Sequence, residues 1–269
     1  MMEHSSSAYD RKYRRQNAAL PTVPERARRL RVVVLLLSAA ALMSSAVANA
    51  APATDAPGDF VAKFAIEWKG ITAGYSTLEL TRTAPGSYTY RSRNVARGIF
   101  KLAFPDVISQ MSTFSIVNGE VRPMTYHADD GEPESAKAVT LRFDWQSQRV
   151  TGIAEKKPID LPLPSGTQDS LSVQIELMRE LAVGRSPQGF WLIDDDEVKE
   201  YKYTREGAET LDTPLGKLEA VKYRSEHAGS VRVTRLWLAP ALGYLPIRAE
   251  RSRAGKIDFS LVIRELKTS

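Results

Sequence analysis

The sequence predicts a mainly β protein: an antiparallel meander that forms a curved sheet or partial barrel with one central α-helix, preceded by a signal peptide. Three observations support this prediction. Apolar and polar residues alternate over many short segments, and only one segment has convincing helical spacing. A basic and then apolar stretch at the N terminus stands apart from everything that follows it.

The first fifty residues have the layout of a secretory signal peptide. Basic residues precede the apolar run Val32–Leu37, and small residues end in Ala48-Asn49-Ala50. An apolar core of about a dozen residues is typical of such a leader and is too short to span a bilayer stably. We therefore expect cleavage between Ala50 and Ala51, with a retained anchor as the alternative. The pair Arg28-Arg29 raises twin-arginine export, but the residues after it favour the general route.

The net charge of +5 belongs to this leader. Residues 1–50 hold 8 of the 37 Lys and Arg and 3 of the 32 Asp and Glu, which leaves 29 of each sign in residues 51–269. Strong basicity would indicate nucleic acid as a partner. Because the mature chain is neutral, we exclude that partner, and we expect no integral membrane segment after cleavage.

The chain contains no cysteine. Disulfides, thiolate metal sites, covalent haem attachment and a lipidated cysteine are therefore excluded. A mature chain of roughly 219 residues can still bury on the order of 70% of its unfolded surface, which is enough for a stable core. We expect a flexible tether over 51–59, a single β-rich domain over 60–269, and a periplasmic location.

The first half of this domain predicts a β-meander. Its first strand has Phe60, Ala62, Phe64, Ile66 and Trp68 on one face. A turn from Lys69-Gly70 to Gly74 follows. The predicted strands of this half are Phe60–Trp68, Tyr75–Thr83, Ser87–Asn94, Gln110–Asn118, Val121–His127, Ala138–Trp145 and Arg149–Ala154.

Three segments of this half lack the alternation. Gly98–Val107 is crowded with apolar residues before Pro105, and we interpret it as an apolar loop or a helical turn. We interpret Asp129–Ser135 and the proline-rich Lys157–Ser165 as solvated connections.

One segment predicts a helix. Asp169 can cap it, Leu171, Ile175, Met178, Leu181 and Ala182 have helical spacing, and Gly184 follows as its terminus.

Strands resume after the helix. They are predicted at Phe190–Ile193, Val198–Thr204, Leu218–Arg224, Val231–Leu238, Tyr244–Arg251 and Ile257–Ile263. A succession of many short strands is typical of a barrel or a strongly curved sheet.

The residues that could carry chemistry are few. His127 and His227 are a hundred residues apart, and we interpret both as surface residues. Asp194-Asp195-Asp196-Glu197 could hold a cation, but it lacks calcium-loop spacing and favours a solvated hairpin turn. We interpret Asp169, Glu176 and Glu180 as capping and solubility residues. No Gly-x-Ser-x-Gly elbow, phosphate loop or dinucleotide fingerprint occurs, so we assign no catalytic, cofactor-binding or metal residue and no cofactor.

The strands are rich in aromatic residues. In most β domains such side chains form a packed core, which is the interpretation we favour. A curved sheet with one helix could instead enclose a cleft for a lipid or another apolar ligand.

The C-terminal region resembles a known family. Leu215-Gly216-Lys217, Arg235–Pro240 and Gly243–Ala249 are similar to the secreted bacterial family Domain of Unknown Function 3108, and so is Gln168-Asp169-Ser170-Leu171. The resemblance extends from about Phe60 to the end of the chain. It implies an exported β-rich domain, with no established activity and no catalytic residues to carry over.

Three functional hypotheses follow. The first is a non-enzymatic periplasmic envelope protein that binds an apolar or amphiphilic ligand such as a lipid, or a protein partner in envelope assembly. The second is a hydrolase or sugar-processing enzyme that uses Asp and Glu, which would require a pair of buried acids in a cleft. The third is a structural module with no small ligand.

Overall fold

A computed structural model describes residues 57–129, 131, 137–194 and 196–269. The predicted signal peptide, residues 1–50, and most of the predicted tether, residues 51–59, lie outside the described residues. Residues 57–59 have no regular secondary structure, and the first strand begins at Phe60, as the sequence predicts.

Fourteen strands and one α-helix make up the described chain. The strands before the helix are β1 Phe60–Trp68, β2 Ile71–Ala84, β3 Ser87–Ala96, β4 Ile108–Val117, β5 Glu120–Asp129, β6 Val139–Asp144, β7 Arg149–Ala154 and β8 Lys157–Pro162. The helix α1 spans Ser172–Ala182. The strands after it are β9 Gly189–Asp194, β10 Glu197–Thr213, β11 Gly216–His227, β12 Arg232–Ala239, β13 Leu245–Arg253 and β14 Lys256–Thr268.

All fourteen strands belong to one antiparallel sheet. Its order is β8-β7-β6-β5-β4-β3-β2-β1-β14-β13-β12-β11-β10-β9, so two meanders on either side of α1 are joined where β1 pairs with β14. The sheet does not close, and its end strands are β8 and β9. Just before α1, Gln168 forms an isolated parallel bridge with Leu192 of β9. The predicted fold class is confirmed.

The helix packs on the inner face of this curved sheet. Eight of its eleven residues are buried. Ile175 and Met178 belong to a core cluster that takes residues from both meanders. Val173, Leu177 and Leu181 pack in a second cluster, whose other buried members are Leu192, Tyr203, Tyr223 and Leu238. A helix with two buried apolar faces is consistent with a position inside a sheet that curves around it.

The helix ends are as predicted. The Oδ1 of Asp169 accepts hydrogen bonds of 2.8 Å from the backbone N–H groups of Leu171 and Ser172. At the other end Gly184 has φ +77° and its N–H donates to the carbonyl of Leu181. A left-handed glycine of this kind ends many helices because it carries no Cβ. Gly98–Val107 also agrees, since Gly98–Leu102 is a short 3-10 helix.

The proline-rich segment, which the sequence predicts to be a connection, instead contains strand β8. Pro158 pairs with Ile153 and Pro162 pairs with Arg149 of β7. Proline cannot donate a ladder hydrogen bond and is therefore confined in sheets to edge strands, strand starts and bulges. Because β8 ends the sheet, it tolerates two prolines. The other thirteen strands correspond to the thirteen segments that the sequence predicts as strands.

The first turn is shorter than predicted. It consists of Lys69 and Gly70 alone, and Gly74 lies inside β2 opposite Ala96. A Cβ at residue 74 would lie 2.4 Å from the carbonyl oxygen of Val95, so glycine is needed there for strand packing and not for a turn. Trp68, predicted on the inward face, is 42% exposed because it lies at the end of β1, beyond the core.

Candidate functional site

A buried polar cluster lies at the start of α1. Asp169 is fully buried, and its Oδ2 accepts a 2.6 Å hydrogen bond from the Oγ of Ser112 in β4. Its backbone N–H donates to the Oγ of Ser172, at 2.9 Å. Each carboxylate oxygen of Asp169 therefore has at least one donor, and the cluster fixes the helix start to the inner face of the sheet.

Burial decides the electrostatics of Asp169. Loss of solvation raises the pKa of its carboxyl above the ordinary value, and the hydrogen bonds from Ser112, Ser172 and Leu171 partly oppose this rise. Buried Asp and Glu are expensive unless they are hydrogen-bonded. The sequence-based interpretation of Asp169 as a cap is correct, but its interpretation as a solubility residue is wrong.

A second group of charges lies one turn further along α1. Arg179 donates to Oε1 of Glu176 at 2.9 Å and to Oε1 of Glu180 at 2.5 Å. Oε2 of Glu176 also accepts the backbone N–H of Val121, the second residue of β5. Glu180 in turn accepts from the exposed Arg185 at 2.6 Å.

These contacts shift two pKa values. Burial acts to lower the pKa of Arg179, but the hydrogen bond and charge of Glu176, with the charge of Glu180, raise it. The hydrogen bond from Arg185 is the largest cause that lowers the pKa of Glu180. Glu176 and Arg179 form a buried ion pair that joins the helix to β5. The prediction that Glu176 serves solubility is therefore wrong.

A small cleft opens beside this ion pair. Its volume is about 160 Å³, and it is lined by Glu120, Ser165, Gln168, Glu176, Phe190 and Trp191. Gln168 donates to the carbonyl of Val121 at 2.8 Å, while its Oε1 is buried and has no hydrogen-bond partner. Both oxygens of Glu176 are already bound by donors. The buried carboxylate here is therefore a structural acceptor and does not have the free oxygen that acid–base catalysis requires.

The remaining candidate groups stay apart. His127 is exposed and His227 is half-buried, on β5 and β11 respectively. Asp194 and Glu197 are backbone partners in the β9–β10 hairpin, as predicted, while Asp195 lies outside the described residues. Within residues 57–129, 131, 137–194 and 196–269, no group of three or more His, Cys, Asp or Glu side chains is arranged to hold a metal ion.

The aromatic residues divide between the core and the surface. Phe64, Tyr90 and Tyr223 are almost completely buried, and burial raises the pKa of Tyr203 to about 12. A larger cleft of about 330 Å³ lies beside the start of β1 and the end of β14, lined in part by Phe60, Leu80 and Lys267. The inward side chains pack against α1, which favours the packed-core interpretation over an internal ligand cavity.

Several large apolar side chains lie instead on the surface at one end of the central strands, where β1 ends and β2 begins. We call this set the tip patch: Trp68, Ile71, Ile99, Leu102 and Phe104, which are 42%, 58%, 78%, 89% and 55% exposed. The Trp68 and Phe100 rings meet edge to face at 5.8 Å and connect the turn to the loop. The sequence contains a signal for this patch, because Gly98–Val107 is an apolar run outside any predicted strand.

Comparison with known proteins identifies the family. The model of the family described as "Protein of unknown function (DUF3108)" matches residues 63–262. The chain belongs to the DUF3108 family. The resemblance stated from its sequence motifs is thereby confirmed. A search of the curated proteins finds no match.

One solved structure shares the architecture of this DUF3108 chain. A β-barrel-like protein of the DUF1849 domain family from Brucella abortus is 15% identical, with a TM-score of 0.55 over 80% of this chain and 99% of that one. A hypothetical protein from Chlamydia trachomatis is 9% identical, with a TM-score of 0.35 over 79% of this chain and 87% of that one. At 15% identity the similarity to the Brucella abortus protein concerns the fold alone. In the part of the DUF3108 chain that the structure describes, no helix is long and apolar enough to cross a membrane.

Proposed function

We propose that this protein is an exported, non-enzymatic protein of the periplasm that binds an amphiphilic or protein partner of the cell envelope at its surface. The observation that carries the proposal is the tip patch. Monomeric proteins rarely expose contiguous apolar patches larger than a few hundred Å², and larger ones mark interaction sites. Leu102, at 89% exposure, contributes almost nothing to the core and is available for contact.

The interior supports a surface site over an internal one. The helix α1 buries eight of its eleven residues against the sheet. A lipid carrier that encloses its cargo needs a pocket on the order of 300–1,000 Å³ that is lined mostly by apolar groups. The two clefts described above are lined by mixed polar and apolar residues. One lies beside the start of β1 and the end of β14, and the other lies beside Glu176. We therefore expect the purified protein to carry no enclosed lipid.

The charged residues support a binding role over a catalytic one. Asp169 and Glu176 are the buried acids of the inner face, and each oxygen of both accepts a hydrogen bond. A hydrolase built on two carboxylates needs both groups to face a substrate cleft.

The test begins with protein recovered from a periplasmic extract. Its intact mass gives the N terminus, which we expect at Ala51, and native mass spectrometry with lipid extraction reports any enclosed ligand. A photo-crosslinking residue is then introduced at Leu102, with a matched one at Met124, which is 45% exposed on β5. We expect adducts in living cells at residue 102 well above those at residue 124. Equal or absent adducts would overturn the proposal, and so would a protein that stays in the cytoplasm.

A further inference from the structure

The tip patch is bordered by cations. Lys69, Arg97 and Lys101 are exposed among its apolar side chains, and Asp106 is the single acid in residues 68–75 and 96–107. The Glu67 carboxylate, one residue before Trp68, is bound by Arg264 at 3.3 Å. Residues 68–75 and 96–107 therefore carry a net positive charge, although residues 51–269 as a whole are neutral.

Its aromatic residues lie close to these cations. The Lys69 ammonium lies 4.5 Å from the Trp68 ring centroid. The Arg97 guanidinium donates to the Tyr75 hydroxyl at 3.0 Å, and Tyr75 is itself 45% exposed. Trp and Tyr beside Lys and Arg are typical of the boundary between water and lipid headgroups, because each has an apolar body and a polar end.

Other turns at the same end of the strands extend the exposed apolar surface. Val231 is 62% exposed beside Arg232 before β12, and Ile257 is 54% exposed beside Lys256 in β14. The sheet order puts the start of β12 four strands away from the start of β2, a distance of roughly 19 Å at the usual strand spacing. Apolar side chains at separate turns, with cations between them, are better suited to a partner with a broad flat surface than to a single peptide bound in a groove.

We propose that the tip patch docks onto an anionic lipid surface, with Ile99, Leu102 and Phe104 inserted among the headgroups and Lys69, Arg97 and Lys101 on the lipid phosphates. This inference rests on the proposed function and names its partner. Apolar insertion and attraction of basic residues to anionic lipids add to each other at membrane surfaces. Since β1 runs from Phe60 to Trp68, the patch lies at the opposite end of this strand from Phe60.

The experiment is co-sedimentation of the protein recovered from the periplasm with large vesicles. One set contains phosphatidylcholine alone, and the other contains phosphatidylcholine mixed with phosphatidylglycerol. We expect binding to the mixed vesicles, weaker binding to the neutral ones, and loss of binding as salt is raised, because ions screen exposed charges.

Matched variants locate the contact. Leu102→Asp should weaken binding to the mixed vesicles by about tenfold or more, since an inserted leucine is replaced by a charge. Met124→Asp, at another exposed apolar position, should bind as the parent does. Trp68→Ala should weaken binding, whereas Trp191→Ala, at nearly equal exposure, should not. Lys101→Glu should remove the preference for phosphatidylglycerol.

The outcomes separate this inference from the proposed function. Absence of binding to both vesicle types, or equal binding by Leu102→Asp and Met124→Asp, overturns the lipid surface as partner. If residue 102 still forms adducts in cells and these contain protein, the proposed function holds and its partner is a protein. If residue 102 forms no adducts above residue 124, the proposed function itself fails.

Discussion

The hydroxyl of Ser112 in β4 donates a 2.6 Å hydrogen bond to Oδ2 of Asp169, which lies 57 residues later in the chain at the start of α1. Both side chains are fully buried. The same carboxylate accepts the first free amides of the helix through Oδ1. One side chain therefore satisfies free donors of the helix and fixes the helix to the sheet, and its ionisation is coupled to folding.

The pH dependence of stability follows from the raised pKa of Asp169. In the window between its ordinary and its raised pKa the folded protein keeps a proton that the unfolded chain releases. The contribution of Asp169 to stability therefore falls as pH rises through that window. Asp169→Asn keeps the amide-accepting oxygen and does not titrate. We expect the stability of this variant relative to the parent to rise with pH across the window, as measured by urea unfolding at a series of pH values.

Asp169→Ala is the control, because it removes the acceptor as well as the charge. Neither variant titrates at this position, so Asp169→Ala should be less stable than Asp169→Asn by about 0.5–2 kcal/mol at every pH, the usual cost of a lost cap. A constant difference between the Asn variant and the parent from acid to neutral pH would show that the buried carboxyl does not titrate in this window.

The second prediction concerns the buried ion pair of α1. The Arg179 side chain is 3% exposed and that of Glu176 is 10% exposed. Arg179→Leu leaves Glu176 as an uncompensated buried charge, so it should cost about 3–5 kcal/mol. Arg185→Ala removes a partner of Glu180 that is 55% exposed, and should cost less than about 1 kcal/mol. Denaturant unfolding of both variants measures the difference.

A double variant separates pairing from packing. Glu176→Gln with Arg179→Leu removes both charges, so it should regain part of the stability that Arg179→Leu loses. If the double variant is as unstable as the sum of the two single ones, the two residues act independently and the pair has no coupling.

Much of the fold could be predicted from sequence, because an alternation with period two is a local signal. The inward face of β6, that of β1 up to Phe64, and the limits of α1 all follow from local patterns. Strand β8 was missed because two prolines without a bulge are compatible with a strand only at a sheet end, and the position of a strand in the sheet is not local information. Pairing of β1 with β14 likewise joins residues some two hundred positions apart.

The candidate sites were predicted less well, for a physical reason. Glu176 and Arg179 have the spacing of an ordinary exposed helical ion pair, and only the β5 backbone at Val121 makes them buried. The tip patch is the reverse case. Its loop is apolar, which the sequence shows, but exposure depends on the absence of packing against it within the described chain, and a sequence does not give that.

The third prediction concerns a glycine inside a strand. Gly152 of β7 has φ +155°, and a Cβ placed there would lie 1.9 Å from the carbonyl oxygen of Thr140 in β6. Gly152→Ala must push the two backbones apart, so it should cost more than about 1 kcal/mol. Gly58→Ala is the control, because a Cβ at residue 58 would meet no atom within 4 Å. Thermal unfolding compares them, and equal melting temperatures would contradict the close approach of β6 and β7.

The last prediction concerns Trp237, which lies in the motif that carries the family resemblance. It pairs with Lys222 on one neighbouring strand and with Arg248 on the other. Their cationic groups lie 4.9 Å and 5.1 Å from the ring centroid, and the indole N–H donates to Glu209. The ring is only 4% exposed, because these side chains cover it.

Two changes divide the role of Trp237 into packing and charge. Trp237→Ala should cost about 3–5 kcal/mol, the usual loss for a buried aromatic residue, whereas Trp191→Ala at 40% exposure should cost far less.

Lys222→Met keeps most of the side-chain contact but removes the cation, so it should cost about 0.5–1 kcal/mol in the parent. In a Trp237→Leu background the same Lys222→Met change should cost less, because the aromatic face is gone. Urea unfolding of the parent, Lys222→Met, Trp237→Leu and the double variant gives the coupling free energy between the two residues. A value of zero would mean that the lysine covers the ring without a cation–π interaction.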